Sequence, residues 1–256
     1  MCIERIEIVR FFENDREPNK DIVITEIPFT IYINNEEFIT LTTIPRDLKE
    51  LTFGFLKTEG IIETPNDIEF FSINPKDFTV RLSIPSFVKD LKKTKRIVGS
   101  GCGSSLSFYY EKDLEKFSPM SFDFFISPSK IIELMTEFQK KSDLFRLTGG
   151  AHAASIANSK HILYFSEDIG RHNAVDKVIG MMVLEKLDSS FAILLTTGRV
   201  SSEILRKLIY ARIPVIISHS APTLLSVKQA RRANITLIGF ARGRKFNVYS
   251  GVERIK

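Results

Sequence analysis

At 256 residues, with 43% hydrophobic and 26% charged side chains, the chain has the composition of an ordinary globule that buries its core in one large domain or two modest ones. Two cysteines, Cys2 and Cys102, exclude a disulfide framework and favour a reducing compartment. The start MCIERIEIVRFF carries charges within its apolar run and is no signal peptide, and no uncharged run reaches bilayer length, so a cytoplasmic protein without membrane insertion is expected.

Residues 21–42 read as a β hairpin, with Asp21–Ile27 and Phe29–Ile33 β-rich, a turn at Asn34-Asn35 and a return over Glu37–Thr42. Pro45 opens a helix that Gly60 closes, with Leu48, Leu51, Phe55 and Leu56 as its apolar stripe. Ile68–Ile73 and Phe78–Ile84 form a second β pair across Asn74-Pro75. Residues 113–127 read as an irregular connector, after which Ser127-Pro128 caps a helix carrying Ile131, Met135 and Phe138. Strand and helix then alternate three times. His161–Phe165 precedes Asn173–Lys186, Phe191–Thr196 precedes Ser201–Arg212, and Val215–Ser218 precedes Pro222–Ala233, with a last strand at Ile235–Phe240. Such alternation predicts parallel βαβ units. The expected fold is α/β, with a mainly parallel sheet and a nucleotide site over 113–256, after an α+β region over 1–112.

Each of these strands ends in a small polar loop: Glu167–His172, Thr197-Gly198-Arg199 and His219-Ser220-Ala221. In an open parallel sheet that edge is where ligands bind, and helix N-termini there favour anions. Asn173 with Asp176 reads as a capping-box pair, and capping accounts for Ser201 too. It does not account for Arg171, His172 and Arg199 on one edge, where a phosphate or nucleotide is expected. The net charge of +5 points the same way: twelve of the 36 Lys/Arg but two of the 31 Asp/Glu lie from Arg199 onward. These basic residues are interleaved with apolar strands and Gly turns, which suits a small phosphate-bearing ligand better than nucleic acid. A solvated helix face with Arg206, Lys207, Arg231 and Arg232 accounts for part of the excess.

Cys102 sits in Val98-Gly99-Ser100-Gly101-Cys102-Gly103-Ser104-Ser105, a composition suited to a mobile loop. Lys92, Lys93, Lys95 and Arg96 upstream favour a thiolate, although an incidental buried thiol fits the segment as well. A deaminase-type zinc site is not expected. His152 is present in Thr148–Ala154, but Ala154 stands where a Glu belongs and there is no Cys-x-x-Cys. A P-loop is excluded by the lack of its motif. Two thiol chemistries stay open: a nucleophile pairing Cys102 with His152 or His172, and a sulfur relay through a Cys102 persulfide.

Several stretches closely resemble the formate dehydrogenase accessory proteins of the FdhD/NarQ family. They are Thr148–Ala153, Glu167–Lys177, Gly198–Glu203 and Ser220-Ala221-Pro222-Thr223, with Thr43-Ile44-Pro45, Gly54-Phe55-Leu56 and Glu59–Ile62 in the N-terminal half. The resemblance implies a sulfurtransferase that takes sulfur from a cysteine desulfurase. It would deliver it to the molybdenum (or tungsten) bis-(molybdopterin guanine dinucleotide) cofactor of a formate dehydrogenase apoenzyme. It also implies a homodimer and a cytidine-deaminase-like C-terminal domain without zinc. By motif position Cys102 is the persulfide-forming residue, and Phe240, Ala241, Arg242, Gly243, Arg244 and Lys245 form the cofactor-binding segment. Arg171, His172, Asn173, Asp176, Gly198, Arg199, Ser220 and Thr223 would join them around the guanine dinucleotide phosphates, with GDP or GMP as mimics. One departure stands out: the family's loop commonly reads Cys-x-x-Cys, and here Ser105 takes the second place. A cofactor-binding chaperone without sulfur relay is therefore the alternative.

Overall fold

The computed structural model of the chain describes residues 2–87, 96–98, 106–108, 119–120 and 124–256. Cys102 with its glycine-serine loop, the lysines before it and most of the 113–127 connector lie outside the described residues.

Two antiparallel strands, β1 (Ile3–Phe12) and β2 (Asp15–Ile24), open the chain as a ribbon. Charges recur along β1 with no fully buried face between them, and Val9, Phe11 and Phe12 are exposed, so the ribbon carries no clean alternation and sequence patterning starts its first strand only at Asp21. Its base alone packs inward, where Cys2, Ile3 and Ile24 meet Ile44, Leu144, Ala151 and Ile169.

The expected hairpin and second β pair are present as β3 (Ile27–Ile33), β4 (Glu36–Thr43), β5 (Phe70–Asn74) and β6 (Thr79–Ser83). Asn34 and Asn35 both take positive φ, the turn whose twist matches a two-residue hairpin. The four strands form one sheet in the order β4-β3-β6-β5, with β3 and β6 parallel at its centre. Helix α1 (Leu48–Thr58) covers it, burying Leu51, Phe55 and Leu56 against Phe29, Ile31 and Val80. Short strands β7 (Arg96–Val98) and β8 (Leu106–Phe108) pair with each other.

The rest of the chain builds three layers. Its elements are α2 (Pro128–Lys140), α3 (Asp143–Thr148), β9 (His152–Ala157), β10 (Ile162–Asp168), α4 (Arg171–Leu184), β11 (Ile193–Thr196), α5 (Ser202–Ala211), β12 (Val215–Ser218), α6 (Leu224–Ala233), β13 (Thr236–Arg242) and β14 (Lys245–Ser250). Ser127 caps α2 as expected, accepting from the Lys130 N–H at 3.2 Å. Apolar residues of α4, α5 and α6 pack on one face of the sheet against Ile156, Leu194, Ile216 and Leu237. Helix α2 covers the other face, with Ile131, Leu134 and Phe138 against Ile193, Leu195, Val215 and Ile217. Among the described residues no helix is long and apolar enough to cross a membrane.

The sheet corrects the expectation of a mainly parallel one. Its order is β10-β9-β11-β12-β13-β14, and only the β11–β12 and β12–β13 pairs are parallel. Strand β9 runs antiparallel between β10 and β11, and β14 closes the far edge antiparallel to β13. The sequence hides β9 because His152-Ala153-Ala154-Ser155 holds no β-branched or large apolar residue. In a central strand buried on both faces, small side chains serve as well.

The two halves meet where α1 crosses α4 at a pair of glycines. A Cβ on Gly54 would lie 1.7 Å from the Asp176 carbonyl oxygen, and one on Gly180 would lie 1.8 Å from that of Glu50. The helix backbones touch, and no side chain fits between them. Gly54→Ala or Gly180→Ala must therefore push the helices apart, and each is expected to destabilise the protein by about 1–3 kcal/mol or more through overpacking. Thermal denaturation of the purified variants checks this; an unchanged midpoint would contradict the crossing.

Candidate functional site

The site begins with Asp168 at the C-terminal end of β10. Its Oδ2 accepts from Lys177 Nζ at 2.7 Å, from Thr43 Oγ1, and from the Ile44 N–H at 3.3 Å. Its Oδ1 accepts from the Gly170 N–H at 2.9 Å and Asn173 Nδ2 at 3.0 Å. Asp168 and Lys177 are both fully buried, and burial pulls the Lys177 ammonium down from its ordinary range against the pull of Asp168. One carboxylate thus fixes the β10–α4 turn and ties it to the end of β4.

Neighbouring Glu167 does a second job. Its carboxylate accepts from the Leu144 and Phe145 N–H groups at 3.1 and 3.0 Å, holding the first turn of α3 over the strand ends.

The three predicted loops come together at this edge. Arg171 lies across Gly198, where an added Cβ would approach the arginine stem to 2.9 Å. Ser218 Oγ donates to the Gly198 carbonyl at 2.7 Å, and Ser220 Oγ donates to that of Thr197 at 2.8 Å. The Phe240 N–H donates to the Ser220 carbonyl at 3.1 Å, and Arg242 Nε donates to that of His219 at 2.9 Å. The Phe240–Lys245 segment is in this way drawn onto the same edge as Gly198, Arg199 and Ser220. Phe240 holds a positive φ of 52°, Ala241 is buried, and Arg242, Gly243, Arg244 and Lys245 face solvent. Thr223 caps α6, accepting from the Ser226 N–H at 3.3 Å.

Two of the predicted residues lie elsewhere. Asn173 is no N-cap, since Gly170 holds that position; its amide joins Asp168 and the Thr42 carbonyl instead. Asp176 is buried at the α1 contact, where its oxygens take Lys207 Nζ at 2.8 and 2.9 Å and Thr58 Oγ1 at 2.8 Å. Both residues build the scaffold under the edge. His172 is also buried, with Nε2 3.0 Å from a Glu203 carboxylate oxygen.

Beside the arginines lies a cavity of about 510 Å³. It opens where β10, β11 and β12 end and where β9, running the other way, begins with His152. His152 Nδ1 lies 3.3 Å from Thr197 Oγ1, which also accepts from the Ala153 N–H at 3.0 Å. Ser142, Phe145 and Gly150, none of them predicted, complete much of its wall. They come from the α2–α3 corner, from α3 itself and from the turn after it, which only tertiary packing brings to the sheet edge.

Burial pulls all three histidines of this edge, His152, His172 and His219, below the usual imidazole range. Nearby arginines add to it: Arg171 and Arg199 for His152, and Arg242 for His219. For His172, Glu203 opposes the shift. Neutral imidazoles and cationic guanidiniums together make an edge complementary to an anionic ligand.

The chain is an α/β protein with a cavity beside an arginine-bearing edge where its central strands end. The chain belongs to the FdhD/NarQ family, whose sequence profile matches residues 24–256. It is 38% identical over 252 residues to the sulfur carrier protein FdhD of Bacillus licheniformis, covering 98% of this chain and 96% of the relative. It is 39% identical to that of Bacillus pumilus over 92% of this chain and 90% of the relative. It also resembles the crystal structure of a protein assigned as a formate dehydrogenase accessory protein from Desulfotalea psychrophila, with a TM-score of 0.82, 25% identity and full coverage of both chains.

The histidines carry a pH signature. Because the folded state holds them neutral, the unfolded chain takes up protons first as pH falls below about 6.5. Their stabilising contribution is complete above that value and is lost toward their depressed folded-state values. The melting temperature of His172→Gln should therefore fall less between about pH 7.5 and 5.5 than that of the unmodified protein. Each tenfold difference in proton affinity between the folded and unfolded imidazole corresponds to about 1.4 kcal/mol. Parallel curves would contradict the buried neutral state.

Proposed function

We propose that this chain is a sulfur carrier in formate dehydrogenase maturation, a sulfurtransferase that works through a persulfide on Cys102. In its first step the Cys102 thiolate attacks the terminal sulfur of a cysteine desulfurase persulfide. The donor S–S bond breaks as the new one forms, the desulfurase cysteine leaves as thiolate, and no oxidant is consumed. The acceptor would be the molybdenum bis-(molybdopterin guanine dinucleotide) cofactor, bound as substrate before its insertion into the apoenzyme; as a reduced metal centre it would supply the two electrons that turn the outer sulfur into sulfide while the Cys102 thiolate is released.

The observation that carries this reading is the joining of Arg171, Gly198, Arg199 and the Phe240–Lys245 segment at one edge of the sheet, in a chain whose relatives are named sulfur carriers. The residues fit a phosphorylated ligand. Gly198 leaves room for Arg171 to lie across it, and Arg242 is anchored through Nε, leaving the rest of its guanidinium to face outward. Arg171, Arg199, Arg242, Arg244 and Lys245 would hold the diphosphates, with Ser220 and Thr223 as neighbouring hydroxyls. The reading carries with it a cytoplasmic homodimer and a cytidine-deaminase-like domain, the latter supported by helices on both faces of a sheet whose middle strands are parallel.

A second reading, a cofactor-binding chaperone that relays no sulfur, is favoured by one observation: Ser105 cannot resolve a persulfide as a second cysteine would. Incubation with a cysteine desulfurase and cysteine separates the two. Intact-mass spectrometry should show one added sulfur on the native protein and none on Cys102→Ala, which should also fail to support formate dehydrogenase activity while still binding GDP. Activity supported by Cys102→Ala would select the chaperone. Arg199→Ala should weaken GDP binding roughly tenfold, the worth of one charge-assisted contact.

A further inference from the structure

A second cavity, of about 380 Å³, lies at the opposite end of the helix layer from the arginine edge. Helices α4 and α5 begin at that edge with Arg171 and Ser202 and end here with Leu184 and Ala211, so the length of α4 alone sets the two places about 20 Å apart. The end of α1 and the turn at Pro65–Asp67 form the remaining wall, and the cavity therefore spans both halves of the molecule. Its floor is apolar, with Met182, Val183 and Ala211 from the core layer and Leu187 packed beside them.

Three cations stand around this floor. Lys57 is engaged, its Nζ donating to the Glu63 carbonyl at 3.1 Å and to the Glu63 carboxylate at 2.7 Å. Lys186 and Arg212 are exposed, and neither side chain makes a hydrogen bond or ion pair among the described residues. Both hold the left-handed backbone that closes a helix, with φ of 53° and 55°, where glycine is the unstrained choice. Their N–H groups do the capping, Lys186 donating to the Val183 carbonyl at 3.2 Å and Arg212 to that of Ile209 at 3.1 Å. The helix dipole favours a cation at such a place, but at an exposed position only weakly, and it does not explain the apolar hollow that the two residues line.

We propose that this cavity is the docking site of the protein that supplies the sulfur, and that it takes a segment presenting a carboxylate beside a bulky apolar side chain. This rests on the sulfur-carrier reading. The apolar side chain fills the hollow over Met182 and Leu187, while Lys186 and Arg212 pair with the carboxylate, an apolar anchor with a charged rim. The place suits the donor, because the described chain on either side of Cys102 is held by elements that build or adjoin the cavity. Before it, Phe87 packs on Phe38 with ring centroids 5.6 Å apart, and Phe38 packs on Phe55 of α1, two residues from Lys57. After it, Met120 joins the apolar layer that holds Met182, and its N–H donates to the Ala233 carbonyl at 3.1 Å, at the end of α6. The chain leaving α6 lies beside the chain leaving α5, since the Thr236 N–H donates to the Pro214 carbonyl at 2.8 Å. A donor seated here leaves the arginine edge free for the acceptor.

The test compares two sulfur donors on the full chain: a cysteine desulfurase supplied with cysteine, and glutathione persulfide, a small donor that needs no docking surface. Each gives Cys102 its outer sulfur by the same exchange, one S–S bond breaking as another forms, so intact mass reads both. Lys186→Glu combined with Arg212→Glu replaces two attractions by repulsions. It should slow loading from sub-saturating desulfurase roughly tenfold and leave loading from glutathione persulfide unchanged. Lys186→Arg combined with Arg212→Lys keeps both charges and should load at the native rate. Added salt should slow native loading from the desulfurase toward the rate of the reversed variant. Because both residues are exposed, the variants keep the fold, which an unchanged melting temperature verifies. Equal loading of native protein and reversed variant by the desulfurase overturns the proposal, as does slowing by the same factor with both donors. A reversed variant whose own oligomeric state changes assigns the cavity to a second copy and overturns it too. Failure of Cys102 to take sulfur from either donor removes the sulfur-carrier reading itself, whereas equal desulfurase loading removes the docking site alone.

Discussion

The whole arrangement depends on how closely α1 can approach α4. Gly54 and Gly180 let the two helix backbones touch, and a buried polar network between the halves is built beside that contact. Lys207 reaches from α5 to Asp176 on α4 and to Thr58 on α1, while Arg206 makes two bonds to the Glu59 carboxylate. Lys207 and Asp176 are buried and Arg206 is partly so, and burial pushes the Glu59 carboxyl upward against the lowering effect of Arg206 and Lys207. Ion pairs of this kind contribute little net stability, but losing one partner leaves a buried charge and costs about 3–5 kcal/mol. Their effect is therefore to fix one relative placement of the halves. Apolar packing alone would tolerate several.

The same logic explains the charge imbalance of the C-terminal segment. Several of its cations are structural. Arg206 and Lys207 serve the helix contact, Arg231 donates to the Tyr249 carbonyl, and the buried Arg254 donates to Thr236 Oγ1. Arg199, Arg244 and Lys245 are left on the surface of the strand-end edge, with Arg242 beside them. A net charge read from composition combines the two populations, and only the second bears on a ligand. The solvated helix face expected to carry Arg206 and Lys207 does not hold for Lys207, which is buried.

The elements with strong periodic signals are legible in the sequence: the Asn34-Asn35 hairpin, the β5–β6 pair, the Ser127 cap and the strands and helices from Phe191 onward. What escapes it is set by context. Strand β9 opens with His152-Ala153-Ala154-Ser155, which carries no β signal by itself, and β1 belongs to a ribbon with no buried face to impose alternation. At the edge, the loop residues Gly198, Arg199 and Ser220 can be found because strand ends in α/β sheets are predictable places. Asn173 and Asp176 read by spacing as a cap and join the ligand groups only through the family resemblance; in the fold Asp176 holds Thr58 and Lys207, and Asn173 donates to the Thr42 carbonyl. Ser142 and Phe145 have no signal at all, since their role exists only once Glu167 has capped α3 from another element.

The reversed direction of β9 has a consequence for how the cavity tolerates change. His152 faces Asp168 across one flank of that strand, while Thr196 faces Ala154 across the other. Sliding the strand by one residue would turn the imidazole to the opposite side of the sheet and bring Ala153 into its place. The hairpin at Asn158–His161, at the far end of the strand from the cavity, thus governs the aim of His152 through its loop length alone. An insertion there would disarm the cavity without touching any of its walls.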